Sequence, residues 1–241
     1  MDHLILFLLL ALIAEILGTV GGFGSSVFFI PIAAFFLDFH SVLGITAIFH
    51  VSSNITKIAL FRKGFDKNLV IYLGIPATVF VLIGAYFSKF VVSVGLEIGL
   101  AIFLIISSLV FLYFKHFSIQ PTKKNSIIGG ILSGGTAGLL GTGGAIRGIT
   151  LTAFKLKPEI FIATSAIIDL AVDAGRSIVY SLNGFVHYHD LYLIPLLFVA
   201  SVVGTYIGKK LLERISEQKF KVIVLVLILL TGISTLVKII L

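Results

Sequence analysis

Apolar residues run along the chain in long blocks, interrupted by short polar or glycine-rich stretches. The blocks cover about 4–20, 23–37, 41–61, 68–88 and 92–114, then about 126–140, 143–154, 159–182, 189–208 and 219–240. A helix needs about 20 predominantly apolar residues to cross a bilayer core of about 30 Å. The pattern therefore predicts an all-α polytopic membrane protein with eight to ten crossings. In each set of five, the first two blocks are short and divided by glycines. They are either thin crossings or one helix broken into a re-entrant hairpin. The opening block, Leu4 to Leu17, differs from a signal peptide: it lacks a basic start, contains Glu15 and precedes no small-residue cleavage site. It reads as a helix of the mature protein.

The two sets of blocks are related. Shifting the sequence by 120 positions pairs Gly18 with Gly138, Gly21 with Gly141, Gly24 with Gly144, Gly64 with Gly184 and Gly84 with Gly204. From the glycine content alone, roughly one such match is expected. Phe65/Phe185, Tyr72/Tyr192, Leu73/Leu193, Tyr86/Tyr206 and Lys89/Lys209 fall in the same register. The chain thus divides into a first repeat over 1–114, a polar linker over 115–125 and a second repeat over 126–241.

Loop charge orients the repeats. The turn with Arg62, Lys63 and Lys67 is basic, whereas its equivalent at Asn183 to Asp190 has no Lys or Arg. Asp38 to Ser41 has none either, and its equivalent carries Lys155 and Lys157. The turn after Lys89 is nearly neutral, and its equivalent holds Lys209, Lys210, Arg214, Lys219 and Lys221. Positive loops mark the cytoplasmic side. Equivalent loops therefore lie on opposite sides, as in transporters built from two inverted-topology repeats. On this reading the linker, with Lys115, Lys123 and Lys124, is cytoplasmic and both termini are outside.

Composition narrows the class. Of 241 residues, 58% are hydrophobic and 12% charged, and the mean hydropathy is +1.16. A soluble domain carries about twice that charge, so an ordinary soluble enzyme, a DNA-binding domain and a disordered protein are excluded. The net charge of +7 reads as a topology signal, not as a nucleic-acid surface. The absence of cysteine removes disulfides and thiolate metal sites.

Two glycine clusters occupy equivalent places: Gly18-Thr-Val-Gly21-Gly22-Phe-Gly24-Ser25-Ser26 and Gly138-Leu-Leu-Gly141-Thr142-Gly143-Gly144. Neither has the Lys-Ser/Thr ending of a P-loop, nor a strand–helix–strand setting for a dinucleotide. They are either sites of close helix packing or unwound segments near the midplane whose backbone N–H groups face an anion.

The third block of each half carries polar residues at helical spacing. These are His50, Asn54 and Lys57 in the first half, and Asp169, Asp173 and Arg176 in the second. Each set shares one helix face, and the cost of ionisable groups in lipid turns that face inward. Either Asp173 and Arg176 form a bundle-locking ion pair while Lys57 snorkels to the loop near Arg62, or these bases bind an anion. In the second case Asp169, Asp173, Glu15 and His50 are the groups able to carry a proton. Arg147 is either an oxyanion contact or a positive-inside residue beside Lys155. His3, His40, His116, His187 and His189 lie at segment ends, where water reaches them. No His/Asp/Glu group has metal-site spacing. No nucleophile–base pair is legible, so the chain does not read as an enzyme, and no cofactor is implied.

The segments GTVGGFGSSVFFIP (18–31), HVSSNITKIALFRKGFD (50–66), GLLGTGGAIRG and ATSAIIDLAVDAGRSIVYSLNGFV resemble the TauE/SafE family of sulfite exporters, in both halves and in the family's order. The resemblance implies a multi-pass plasma-membrane carrier of small sulfur-containing anions: sulfite, thiosulfate or organosulfonates. The expected site joins Gly21, Gly22, Gly24, Ser25, Asn54 and Lys57 to Gly141, Thr142, Gly143, Gly144, Arg147 and Arg176. Its partners are the anion, the bilayer and protons as coupling ion. An anion channel of the same architecture is the alternative.

Overall fold

The computed structural model describes residues 2–22, 24–113, 119–212, 214 and 217–240. Among these, ten principal helices and no strand are present. In the first half they are α1 (Asp2–Gly21), α2 (Ser26–Ala33), α3 (Phe39–Leu60), α4 (Lys67–Ser88) and α5 (Ser93–Tyr113). In the second they are α6 (Lys123–Leu140), α7 (Gly144–Thr152), α8 (Pro158–Leu182), α9 (Leu193–Leu212) and α10 (Glu217–Ile240). The polar linker is shorter than the sequence suggests, because α6 already begins at Lys123. Lys115, His116 and Phe23 of the first glycine cluster lie outside the described residues.

Local chemistry sets the helix ends. Asp38 caps α3 by accepting from the Ser41 N–H at 3.1 Å, and Asp66 caps α4 by accepting from the Leu69 N–H at 3.0 Å. Thr122 does the same for α6, accepting from the Asn125 N–H at 3.2 Å. Such caps satisfy N–H groups that lack a partner in the first turn. For the Asp38 carboxyl, partial burial acts to raise its pKa. The Ser41 hydrogen bonds outweigh that and hold it below the ordinary aspartate value. At the other end of α3, exposed Lys63 reaches Glu159 at the start of α8, with Nζ 2.7 Å from Oε1, and this contact lowers the Glu159 pKa.

Among the described residues, six helices are long and apolar enough to cross a membrane: those at His3–Gly21, Phe39–Leu60, Lys67–Ser88, Ser93–Tyr113, Leu193–Leu212 and Val222–Ile240. The 18 residues of α6 and 25 of α8 give comparable length, but these helices carry the glycines and charges that face inward. The 8 residues of α2 and 9 of α7 rise only about 12–14 Å, less than half the apolar core. Ten complete crossings are therefore excluded. Both short helices turn back along their predecessors. Ser25, at the start of α2, bonds Glu15 in α1, while Phe29 and Phe36 further on meet Phe7, with ring centroids 5.8 and 5.3 Å away. In the second hairpin Gly143 packs on Ser133, and Thr150 on Gly129.

Helix packing follows the order of the two halves. The contacts of α4 with α6 and with α8 have counterparts in α9 with α1 and with α3, while α3–α8 and α5–α10 map onto themselves. The register is shared as well. Gly84 packs on Gly135, and 120 positions on, Gly204 packs on Glu15. The α4–α6 seam is the closest. Gly130, Gly134 and Gly138 meet the backbone of Leu73, Ala77 and Val81, and a Cβ on Gly134 would sit 2.2 Å from the Ala77 carbonyl oxygen. Small residues every fourth position allow this approach.

Candidate functional site

A chain of buried polar groups runs between the two hairpins. In the first half its anchor is Glu15, on α1 and 0% exposed. Glu15 Oε1 accepts from Ser53 at 2.5 Å and Thr205 at 3.0 Å, and lies 2.9 Å from Lys57 Nζ. Its Oε2 accepts from Ser25 at 2.5 Å. Because the Ser25 hydroxyl donates to Glu15, the 3.1 Å contact to His50 is donated by the ring Nε2. Lys57 also donates to Ser53 at 2.7 Å, one helical turn back. Lys57 thus does not snorkel toward Arg62. It is 7% exposed and committed to Glu15.

In the second half, Arg176 fastens the broken end of α6. Its Nε donates to Asp173 Oδ1 at 2.7 Å, and its Nη1 donates to the Gly141 carbonyl at 2.5 Å. Tyr180, one turn on, donates to the Gly138 carbonyl at 2.7 Å. The last carbonyls of a helix have no partner of their own, and cationic donors suit that negative end. Gly141 adopts φ +81°, which turns the chain out of α6. Arg147, on α7, forms an ion pair with Asp169 and donates from Nε to Ser165 at 3.0 Å. Its burial excludes the positive-inside reading beside Lys155.

The halves meet through side chains as well as packing. Asn54 donates to Asp173 Oδ2 at 2.7 Å, His50 Nδ1 lies 3.9 Å from the same oxygen, and Ser26 donates to Thr142 at 3.0 Å. Between them is a cavity of ≈ 20 Å³. Gly24, Ser25, Gly141, Gly143 and Gly144 line it from the two breaks, and His50, Asn54 and Lys57 from α3. Arg147, Asp169, Asp173 and Arg176 complete the wall. A second cavity of ≈ 20 Å³ reaches from Gly24, Lys57 and Asp169 to Gly22 and Phe161, near the start of α8. One water needs about 10–15 Å³, so each space has room for about one water.

Most of the residues singled out in the sequence therefore converge. Gly21 ends α1 outside both linings, Gly22 lines the second cavity only, Thr142 bonds Ser26, and Glu15 sits one layer behind the wall. Sequence reasoning missed Ser53, Ser165, Tyr180 and Thr205. Three of them carry a usable signal, lying one helical turn from Lys57, Asp169 and Arg176 respectively. Thr205 had none, because its approach to Glu15 depends on the packing of α9 against α1.

Around the cavity, three bases face three acids: Lys57 with Glu15, Arg147 with Asp169, and Arg176 with Asp173. Long apolar helices wrapped around such a charged interior make this a multi-pass protein of the cell membrane, and its class is membrane transporter. The sequence pattern of the family described as Sulfite exporter TauE/SafE matches residues 7–235, and the chain belongs to that family. It is also similar to a probable membrane transporter protein of Methanocaldococcus jannaschii, at 25% identity over 240 residues. That alignment covers 90% of this chain and 89% of the relative.

Proposed function

We propose that the chain is a secondary transporter for a small sulfur-containing oxyanion such as sulfite, thiosulfate or an organosulfonate, coupled to protons. The observation that carries this reading is the one-to-one pairing of buried bases with acids around the cavity. An incoming anion needs a cation, and every cation here already has a carboxylate. Breaking such a pair leaves an uncompensated buried charge, which is costly. Protonating the carboxylate as the anion arrives removes that cost, so anion and proton move together.

Arg147 and Asp169 are the pair best suited to the exchange. The Asp169 side chain is 14% exposed, against 0% for Glu15 and 5% for Asp173, and it lines both cavities. Arg176 holds the end of α6 and positions the second break. The first residues of α2 and α7 line the same space, and a helix N-terminus favours negative charge. The paired helix contacts support reading the halves as inverted repeats that rock about the α3–α8 seam. The small volume of the cavity, ≈ 20 Å³, favours such a carrier over a channel, which conducts through a continuous pore.

The test is flux of sulfite and thiosulfate into proteoliposomes, with and without a pH gradient and with unlabelled anion inside. Saturable flux driven by the gradient and accelerated by internal anion is expected. Flux without acceleration by internal anion would mean a channel, and no flux of either anion by folded protein would overturn the substrate class.

A further inference from the structure

A second group of polar residues lies far from this cavity, at the opposite end of α3 from Arg62. The turn between α8 and α9 reads His187-Tyr188-His189-Asp190 and contains no Lys or Arg. A short 3₁₀ turn over Tyr188–Asp190 brings residues of alternating position to one side. The two imidazoles stack with centroids 5.3 Å apart and planes 5° from parallel. His187 Nδ1 is 3.7 Å from Asp190 Oδ2, and His189 Nε2 is 3.5 Å from Asp190 Oδ1. One ligand atom from each of the three residues lies within 4.8 Å of the others. This grouping was not legible in the sequence, because the spacing His-x-His-Asp becomes compact only through the turn.

Asp190 is the unusual member. It is 3% exposed, and its Oδ2 has no hydrogen-bond partner. A buried carboxylate oxygen without a donor is unfavourable, and the His187 nitrogen 3.7 Å from it stands beyond ordinary hydrogen-bond length. Tetrahedral coordination at about 2.0–2.2 Å separates adjacent ligand atoms by about 3.4 Å, close to the 3.5 Å between His189 Nε2 and Asp190 Oδ1. Two imidazoles and one carboxylate suit zinc and its neighbours and not magnesium or calcium, which prefer all-oxygen sites. An outer carboxylate is present too. Asp38, the cap of α3, has Oδ2 3.9 Å from His187 Nδ1, and the Ser41 hydroxyl lies between them at 2.5 and 2.6 Å. The Ser41 hydroxyl donates to Asp38, so His187 donates its Nδ1–H to Ser41, which orients the ring and leaves Nε2 as its ligand atom.

We propose that His187, His189 and Asp190 bind a divalent metal ion of the zinc class, and that Asp38 and Ser41 orient His187 from the start of α3. The bound ion fastens the α8–α9 turn of the second half to the start of α3 in the first. Phe185, in the same turn, is already stacked on His40 at 4.2 Å. This inference is independent of the transport reading.

The experiment is calorimetric titration of the full chain, its purification tag removed, with zinc chloride and with magnesium chloride as control. Cobalt(II) absorption reports the coordination geometry. One zinc ion per chain, no magnesium binding and tetrahedral cobalt bands are expected. The His187→Ala/His189→Ala double variant should lose at least about 100-fold in affinity, and Asp38→Asn about 10-fold. The His187 and His189 side chains are 41% and 76% exposed, so the double variant keeps the fold, which an unchanged melting temperature in the metal-free protein checks. Absence of saturable zinc binding, or equal binding by the double variant, would overturn the proposal.

Discussion

Lys57 Nζ lies 2.9 Å from Glu15 Oε1, so the ammonium of α3 and the carboxylate of α1 close a buried ion pair. Removing one partner of such a pair costs about 3–5 kcal/mol, while replacing both by neutral groups of similar size is often neutral. Glu15→Gln and Lys57→Met should each lower the thermal midpoint in detergent, and the double variant should recover most of the loss. A loss in the double variant equal to the sum of the two single losses would show that the pair is not coupled.

Asp169→Asn leaves Arg147 without its carboxylate. Anion uptake should persist in this variant but lose its response to an imposed pH gradient. Arg147→Ala should reduce flux at least about 100-fold, or roughly 2.7 kcal/mol. Flux assays on both variants in proteoliposomes decide the assignment. Gradient-dependent flux in Asp169→Asn would move the coupling group elsewhere.

Glycines in the breaks should differ sharply from glycines that face open space. At Gly141 the backbone is left-handed, with φ +81°. A Cβ there would meet Ile30 Cδ1 at 2.5 Å and Leu43 Cδ2 at 2.6 Å. The left-handed conformation alone costs about 1–2 kcal/mol for other residues. Gly141→Ala should therefore destabilise the protein by more than that and abolish flux. At Gly135 an added Cβ meets nothing within 4 Å, so Gly135→Ala should be neutral or stabilising by up to about 1 kcal/mol. Thermal unfolding of the two variants makes the comparison.

Phe161 closes the second cavity. Its Cε1 would stand 3.0 Å from a Cβ on Gly22, and both residues line that space. Phe161→Ala should open a path to Ser165 from the end of the bundle where α8 begins. The chain has no cysteine, so Ser165→Cys can be labelled without background. Its reaction with a membrane-impermeant maleimide should be several-fold faster when combined with Phe161→Ala. An unchanged rate would show that Phe161 is not the barrier.

The membrane class and the inward faces of α3 and α8 were legible because each rests on the composition or spacing of single helices. Asp173 and Arg176 are a clear case: three positions apart, they pair as the helix dictates. Pairing between helices was not legible. Lys57 had a basic loop nearby in sequence and a carboxylate nearby in space, and only packing of α1 on α3 decides between them. Arg147 likewise lies 22 positions from Asp169, and the α7 hairpin brings them together. The His187–Asp190 cluster stayed hidden for a different reason. Its three residues are neighbours in sequence, and only the 3₁₀ turn sets their ligand atoms close together.

The smallness of the central cavity bears on what must move. A space of ≈ 20 Å³ holds about one water, less than an oxyanion of several heavy atoms occupies. In the carrier proposed above, binding therefore requires the two glycine breaks to separate. A crosslink that holds the breaks together should block anion binding itself, and not only its passage.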